Sequence, residues 1–337
     1  MKPSNLRAPR NRTVVLSEDD ANRLRPRLIT LTGPASIEQC IDRTILGDAL
    51  QVLPLLPREA VDLVIVDPPY NLTKSFNGAT FGRRTASEYE SWLRSWLVLV
   101  RPLLKRTGSI YICSEWRTSA SVHRVAEEFF LIQNRITWER EKGRGAQRNW
   151  KNCAEDIFFC TVTDQYWFDI EAVKLKRRVI APYRDSEGHP KDWNSLPEGD
   201  FRITHPSNLW TDVTVPFWSM PENTEHPTQK PEKLVAKLIL ASSQKDAILL
   251  DPFLGSGTTS VVAKKLGRHY VGIDIAEPYC LLAERRLELI EHDESIQGYS
   301  GGVFWERNTF TQQGKGRRAR SSLDVADPPP LLFESQE

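Results

Sequence analysis

Cysteine is scarce in this 337-residue sequence and scattered: Cys40, Cys113, Cys153, Cys160 and Cys280 include no CxxC pair. That usage excludes a disulfide framework and a zinc site of ordinary spacing, and fits buried or reduced thiols. The six histidines form no HxxxH pair, so no metal is expected. Long apolar runs are missing too. Stretches such as Val61 to Val66 and Trp96 to Val100 fall far short of the roughly 20 residues that cross a bilayer. The basic start, Met1 to Arg12, has no apolar stretch behind it and does not read as a secretory signal, so the expected location is the cytoplasm. Charge of one sign is not in excess, since 45 Lys and Arg oppose 44 Asp and Glu. Any nucleic-acid surface must therefore come from local clustering.

What is present is globular: 40% hydrophobic and 26% charged residues suffice for one large core with a substantial appendage. Residues 1–35 mix Arg, Pro, Ser and Asn with little periodicity and read as a flexible N-terminal arm. Residues 299–337 turn Gly-, Gln- and Arg-rich, then Pro-rich through Asp327-Pro328-Pro329-Pro330, and read as a disordered tail.

Two strand–loop–helix units lie between these ends. Val61 to Val66 is a β-branched run of buried-strand type leading straight into Asp67-Pro68-Pro69-Tyr70. Tyr89, Trp92, Leu93, Trp96, Leu97 and Val100 follow at helical spacing, with Ser87 and Glu90 as the expected capping box. Ser109 to Cys113 reads as the next strand. In the second unit, Ala247 to Leu250 leads into Asp251-Pro252-Phe253-Leu254-Gly255-Ser256-Gly257 and a helix that Gly267 closes. His269 to Ile273 then forms a strand ending in Asp274, and Pro278 opens a further helix. Such alternation predicts an α/β fold, a doubly wound, mostly parallel sheet with ligands at the carboxyl ends of its strands. Residues 139 to about 225 break the pattern. Basic residues bunch there, from Arg140 to Lys151 and from Lys174 to Arg184, which suggests an inserted region with a binding role.

A double proline after a buried strand stiffens the backbone and removes two N–H donors, leaving acceptors. The Asp67 carboxylate and the Pro68 carbonyl together suit the two hydrogens of an NH2 group and leave its nitrogen lone pair free to attack. Tyr70 offers a flat face for the ring carrying that amine, and Pro69 stiffens the link. A base in a duplex would have to be flipped out to reach them. A strand-ending proline turn is the bland alternative. The glycine loop is neither a Walker loop nor GxGxxG. Its Gly255 and Gly257 allow close approach to a ligand, and the helix start beyond it suits an anion. Asp274, at the end of the next strand, is placed for ribose hydroxyls, or else caps the helix before Pro278.

These motifs, in this order, resemble the amino-methyltransferases that modify DNA at adenine N6 or cytosine N4, over about residues 44–290. DPPYN resembles that family's catalytic motif, DPFLGSGTT its S-adenosylmethionine loop, and VGIDI its ribose-binding strand end. Catalytic motif first and cofactor loop last is the order of the permuted beta group, which includes type II modification methylases. The resemblance implies a Rossmann-like S-adenosylmethionine-dependent methyltransferase fold with an inserted target-recognition region. Residues 36–138 would form the catalytic half, 139–225 the target-recognition region and 226–298 the cofactor-binding half. It implies Asp67, Pro68, Pro69 and Tyr70 as catalytic residues. Cofactor contacts would come from Asp48, Ala49, Asp67, Asp251, Phe253, Gly255, Ser256, Gly257, Thr258 and Asp274. Thr228 and Lys230, within His226-Pro227-Thr228-Gln229-Lys230-Pro231, would meet the methionine carboxylate. Arg144, Arg148, Lys151, Lys176, Arg177 and Arg178 are the expected DNA contacts, a solvated charged face being the alternative. The partner implied is double-stranded DNA, with a cognate restriction endonuclease and homodimers as family traits.

No cysteine follows a proline, as carbon-5 methylation of cytosine would require. Asp at position 67 favours adenine, with cytosine N4 as the alternative within the class. A non-catalytic DNA-binding protein and, more distantly, a nicotinamide oxidoreductase are the rivals outside it. Glu155 to Phe159 resembles a flank of the recognition region, with Phe158 and Phe159 expected in the core.

Overall fold

The structure, a computed structural model, describes residues 8–72, 74–76, 79–140, 148–179, 183–196 and 199–306. The strands of the two larger sheets, in chain order, are β1 (Arg43–Leu46), β2 (Val61–Val66), β3 (Leu104–Glu115), β4 (Leu131–Glu139) and β5 (Ala154–Thr161). They continue with β6 (Leu175–Arg178), β7 (Asn194–Leu196), β8 (Gly199–Thr204), β9 (Leu209–Trp210), β10 (Ile248–Asp251), β11 (His269–Asp274), β12 (Tyr299–Ser300) and β13 (Val303–Trp305). The central sheet runs β1-β11-β10-β2-β3-β5-β4-β9. Its first five strands are parallel, and β5 is antiparallel to both neighbours. The expected mostly parallel, doubly wound α/β sheet is therefore present.

Residue alternation in β2 explains its place at the centre. Leu63 and Ile65 join the core on one face, and Val64 and Val66 join the core on the other. A strand buried on both sides needs an unbroken apolar run, which is what the sequence has. The helices divide accordingly. α3 (Ala86–Val100) and α4 (Ser119–Ala126) cover the Val64 face, while α5 (Glu232–Ser242) and α6 (Thr258–Lys265) cover the Leu63 face. α5 is buried at every position, and α7 (Glu277–Leu289) packs beside α6. Gly267 follows α6 with φ +69°, and Pro278 sits in the first turn of α7, both as expected.

Four expectations are corrected. The capping box of α3 is Thr85 with Glu88, two residues before the predicted pair, because an equivalent T-x-x-E pattern starts the helix earlier. The strand predicted at 109–113 extends over Leu104–Glu115. The arm is not loose over its described part, where α1 (Glu18–Leu24) docks on α7. Arg25 pairs with Glu277 at 2.6 Å, Arg23 pairs with Glu288, and Ile29 bridges Ile45 on the sheet edge. Leu24 is fully buried and Ile29, Leu31 and Ala35 pack against the core, so isolated apolar contacts, ion pairs and edge hydrogen bonding hold this segment without apolar periodicity. The inserted region, residues 139–225, contributes strands to two sheets. β5 lies within the central sheet with Phe158 and Phe159 buried, and β6, β7 and β8 build a second sheet with β12 and β13. Finally, the start of the expected tail is packed, with Phe304 fully buried; Asp327 to Pro330 lie outside the described residues.

Candidate functional site

Because β2 and β10 are neighbouring parallel strands, with Leu63 opposite Leu249, their loops leave the sheet side by side at its carboxyl edge. Between them lies a cavity of about 510 Å³. Its wall includes Asp67, Pro68, Pro69 and Tyr70 from the first loop, and Asp251, Phe253, Gly255, Ser256 and Thr258 from the second. Asp48, Ala49, Thr228, Lys230 and Asp274 also line it, which brings residues more than 200 positions apart onto one surface. Gly257 is the exception. Its φ is +77°, and a Cβ there would lie 2.5 Å from that of Ala283, so this glycine serves packing against α7 and not access to the cavity. Gly255, at φ +53°, lies under the His226 ring, which a Cβ would approach to 3.1 Å.

The carboxylates have distinct partners. Asp67 Oδ2 lies 2.6 Å from Lys230 Nζ, whereas Asp67 Oδ1 is buried with no hydrogen-bond partner among the described residues. Lys230, expected at the methionine carboxylate, is therefore directed at the catalytic motif. Its ammonium also lies 3.3 Å from Glu155 and donates to Tyr70 Oη at 3.1 Å. Burial opposes the Lys230 charge, but Asp67 and Glu155 outweigh it and raise the pKa above the ordinary value. Tyr70 donates to Glu155 at 3.1 Å, and burial pushes its phenol far above the usual range. Tyr89 donates to the Pro69 carbonyl, steadying the loop from α3.

Asp251 and Asp274 turn out to shape the second loop. Asp251 accepts from Phe253 N at 3.1 Å and Thr259 Oγ1 at 2.6 Å. Asp274 accepts from Gly255 N and Ala276 N, both at 2.8 Å, and lines the cavity, while Ala276, not Asp274, stands at the N-cap of α7. Burial raises the pKa of both carboxyls. Asp48 accepts from Leu50 N at 3.0 Å, at the start of the single-turn helix α2 (Ala49–Val52). Ser256 and Thr258 are braced from behind, since Arg286 donates to the Ser256 carbonyl and to Thr258 Oγ1.

Ile275 and Glu155 carried no assigned role in the sequence. Ile275 is 69% exposed and, with Phe253, gives the cavity an apolar slot suited to a flat ring. An apolar residue directly after the strand-ending acid was the available signal. Glu155 was legible only as part of a flank, and nothing local paired it with Tyr70.

The expected DNA contacts divide. Arg148, Lys151 and Arg178 are exposed. Lys176 lies over the rings of Phe201 and Trp305, at 4.6 and 4.2 Å, and Arg177 approaches Glu306 at 3.8 Å, so these two are engaged within the second sheet. Arg144 is outside the described residues. Among the described residues no helix is long and apolar enough to cross a membrane.

The chain matches the N6/N4 methylase family, described as DNA methylase, over residues 61–285. It is 33% identical over 253 residues to the DNA adenine methyltransferase YhdJ of Escherichia coli (strain K12), covering 73% of this chain and 82% of that protein. Among solved structures it resembles the PvuII DNA methyltransferase (cytosine-N4-specific), with a TM-score of 0.54 at 19% identity, over 77% of this chain and 88% of that one. It also resembles M1.HpyAVI, solved as a complex with SAM, with a TM-score of 0.50 at 22% identity, over 73% and 98% of the two chains. At these identities the structural likeness concerns the fold.

Proposed function

The chain belongs to the N6/N4 DNA methylase family, and from that premise we propose that it methylates the exocyclic N6 amino group of an adenine flipped out of double-stranded DNA. The observation that carries this reading is Asp67 Oδ1, a buried acceptor with no partner among the described residues, on the wall of a cavity shared with the glycine loop. A buried unpaired acceptor is costly, and an incoming amine N–H satisfies it. The Pro68 carbonyl takes the second hydrogen, and Tyr70 supplies the face on which the base rests.

The cavity fits S-adenosylmethionine in size and lining. Phe253 and Ile275 would hold its adenine with Asp48 nearby, Asp274 its ribose, and Thr228 with the Gly255-to-Thr258 loop its amino-acid end. When bound, it supplies an electrophilic sulfonium methyl group. The chain's own contribution is to hold the amine by acceptors alone, so that nitrogen density stays available and the positive charge developing on the amine faces a carboxylate. Binding in an apolar slot also removes water from the amine.

Adenine is supported by the acid at position 67 and by the relative named an adenine methyltransferase. The proposal extends to a target-recognition role for the inserted sheet and to a cytoplasmic, DNA-associated location. A companion restriction endonuclease and homodimerisation come from the resemblance. The test is transfer of labelled methyl from S-adenosylmethionine to DNA, followed by mass spectrometry of the nucleosides. N6-methyladenine, lost in a folded Asp67→Ala variant, is expected. N4-methylcytosine would replace the adenine assignment, and no transfer to DNA at any salt would favour a binding protein.

A further inference from the structure

Glu155 lies near the start of β5, where the chain re-enters the central sheet; it is 4% exposed and does not line the cavity. Its Oε2 accepts the Tyr70 hydroxyl and faces Lys230 Nζ, and its Oε1 is bound by the Arg140 guanidinium. Lys230 completes the circuit by resting on Asp67 and Tyr70. Arg140 also donates its backbone N–H to the Cys153 carbonyl, closing the neck of the excursion between β4 and β5. A carboxylate buried this deeply is tolerated only when paired, and here burial, which would raise its pKa, is overcome by the Lys230 and Arg140 charges. One carboxylate therefore holds two residues of the cavity wall from behind without lining the cavity itself.

We propose that Glu155 is a positioning residue for methyl transfer, one that fixes the Tyr70 ring and shares the Lys230 ammonium so that Asp67 keeps one oxygen for the incoming amine. Arg140 ties this arrangement to the inserted region. The assignment rests on the amine methylation proposed above. Without the Glu155 charge, Lys230 is left wholly to Asp67, where it competes with the amine for carboxylate density. The Tyr70 hydroxyl also loses its charged acceptor, and the ring is held less firmly in its orientation. Both losses fall on the loop that holds the reacting base, not on the glycine loop that lines the opposite wall of the cavity.

The test uses the full chain, labelled S-adenosylmethionine and DNA from a methylation-deficient bacterial strain. It measures kcat and KM alongside equilibrium binding of S-adenosylhomocysteine. Glu155→Gln is expected to lower kcat by about 10²-fold, the scale of a misplaced reacting group, with KM and binding changed by less than about threefold. If Glu155 acts through Tyr70, the double variant with Tyr70→Phe is no slower than the slower single variant. Arg140→Gln, at a more exposed position, tests the same chain should Glu155→Gln fail to fold. It is expected to lose kcat, and Arg140→Lys to restore most of it. Wild-type kcat in Glu155→Gln overturns the assignment. So does a loss confined to KM or ligand binding, and, where Glu155→Gln does not fold, so does an Arg140→Gln variant of unchanged kcat. A wild-type chain that transfers no methyl to DNA overturns the proposed activity itself, and this assignment with it.

Discussion

Replacing Asp251 by asparagine should change the pH dependence of stability in a direction the structure dictates. Asp251 is 6% exposed at the end of β10, and burial raises its carboxyl from 3.8 to about 7 in spite of the donors Thr259 and Phe253, with Asp67 and Asp274 adding repulsion. A carboxyl whose pKa is raised by folding keeps a proton in the native state that the unfolded chain releases. Its stabilising contribution is complete below the unfolded pKa and is lost as pH rises through about 7. Between pH 5 and pH 8 this one group removes about 3 kcal/mol from the stability of the ligand-free protein. Asparagine keeps the volume and the acceptor for Phe253 N, offers its NH2 to Thr259 Oγ1, and does not titrate. Urea unfolding of both proteins across that pH range is the assay. The stability difference should move in favour of Asp251→Asn by about 3 kcal/mol on going from pH 5 to pH 8. Parallel curves would refute the reasoning.

Three further outcomes are expected. Asp212, 6% exposed, lies 2.8 Å from Lys233 Nζ and 2.9 Å from Lys237 Nζ. Asp212→Ala should cost about 3–5 kcal/mol in denaturant unfolding, since it strands buried ammonium groups, and a loss below about 1 kcal/mol would contradict that account. Ile275→Ala should weaken S-adenosylhomocysteine binding by about 1 kcal/mol in calorimetry while leaving the unfolding midpoint unchanged, because the side chain is exposed to the cavity. For DNA, Arg178→Gln should lower the slope of log affinity against log salt by about 1, whereas Lys176→Gln, whose ammonium lies over Phe201 and Trp305, should leave it unchanged. Equal slopes for the two variants would show that exposure does not decide which basic residue meets phosphate.

Much of the scaffold was legible because its signals are local. The unbroken apolar run of β2, the helical spacing of α3, Gly267 and Pro278 each act within a few residues, and each predicted its element. The α3 cap was displaced because two equally good boxes overlap there. The packing of the N-terminal segment was hidden because ion pairs to α7 and a bridge to β1 replace apolar periodicity. The place of Ala154–Thr161 in the central sheet was hidden because a buried strand looks alike wherever it inserts.

The sequence by itself determined the chemical types at the site: an acid before two prolines and a tyrosine, a glycine loop after a strand, and an acid at the end of the next strand. Only the tertiary structure decided how they are used. Tyr70 meets Glu155 across 85 residues and Lys230 across 160, and the strand order brings Asp67 beside Lys230 and leaves one oxygen of Asp67 without a partner among the described residues. Local pattern records which groups are available. Their pairing, and hence their charge and orientation, depends on which strands become neighbours, and no short-range periodicity encodes that.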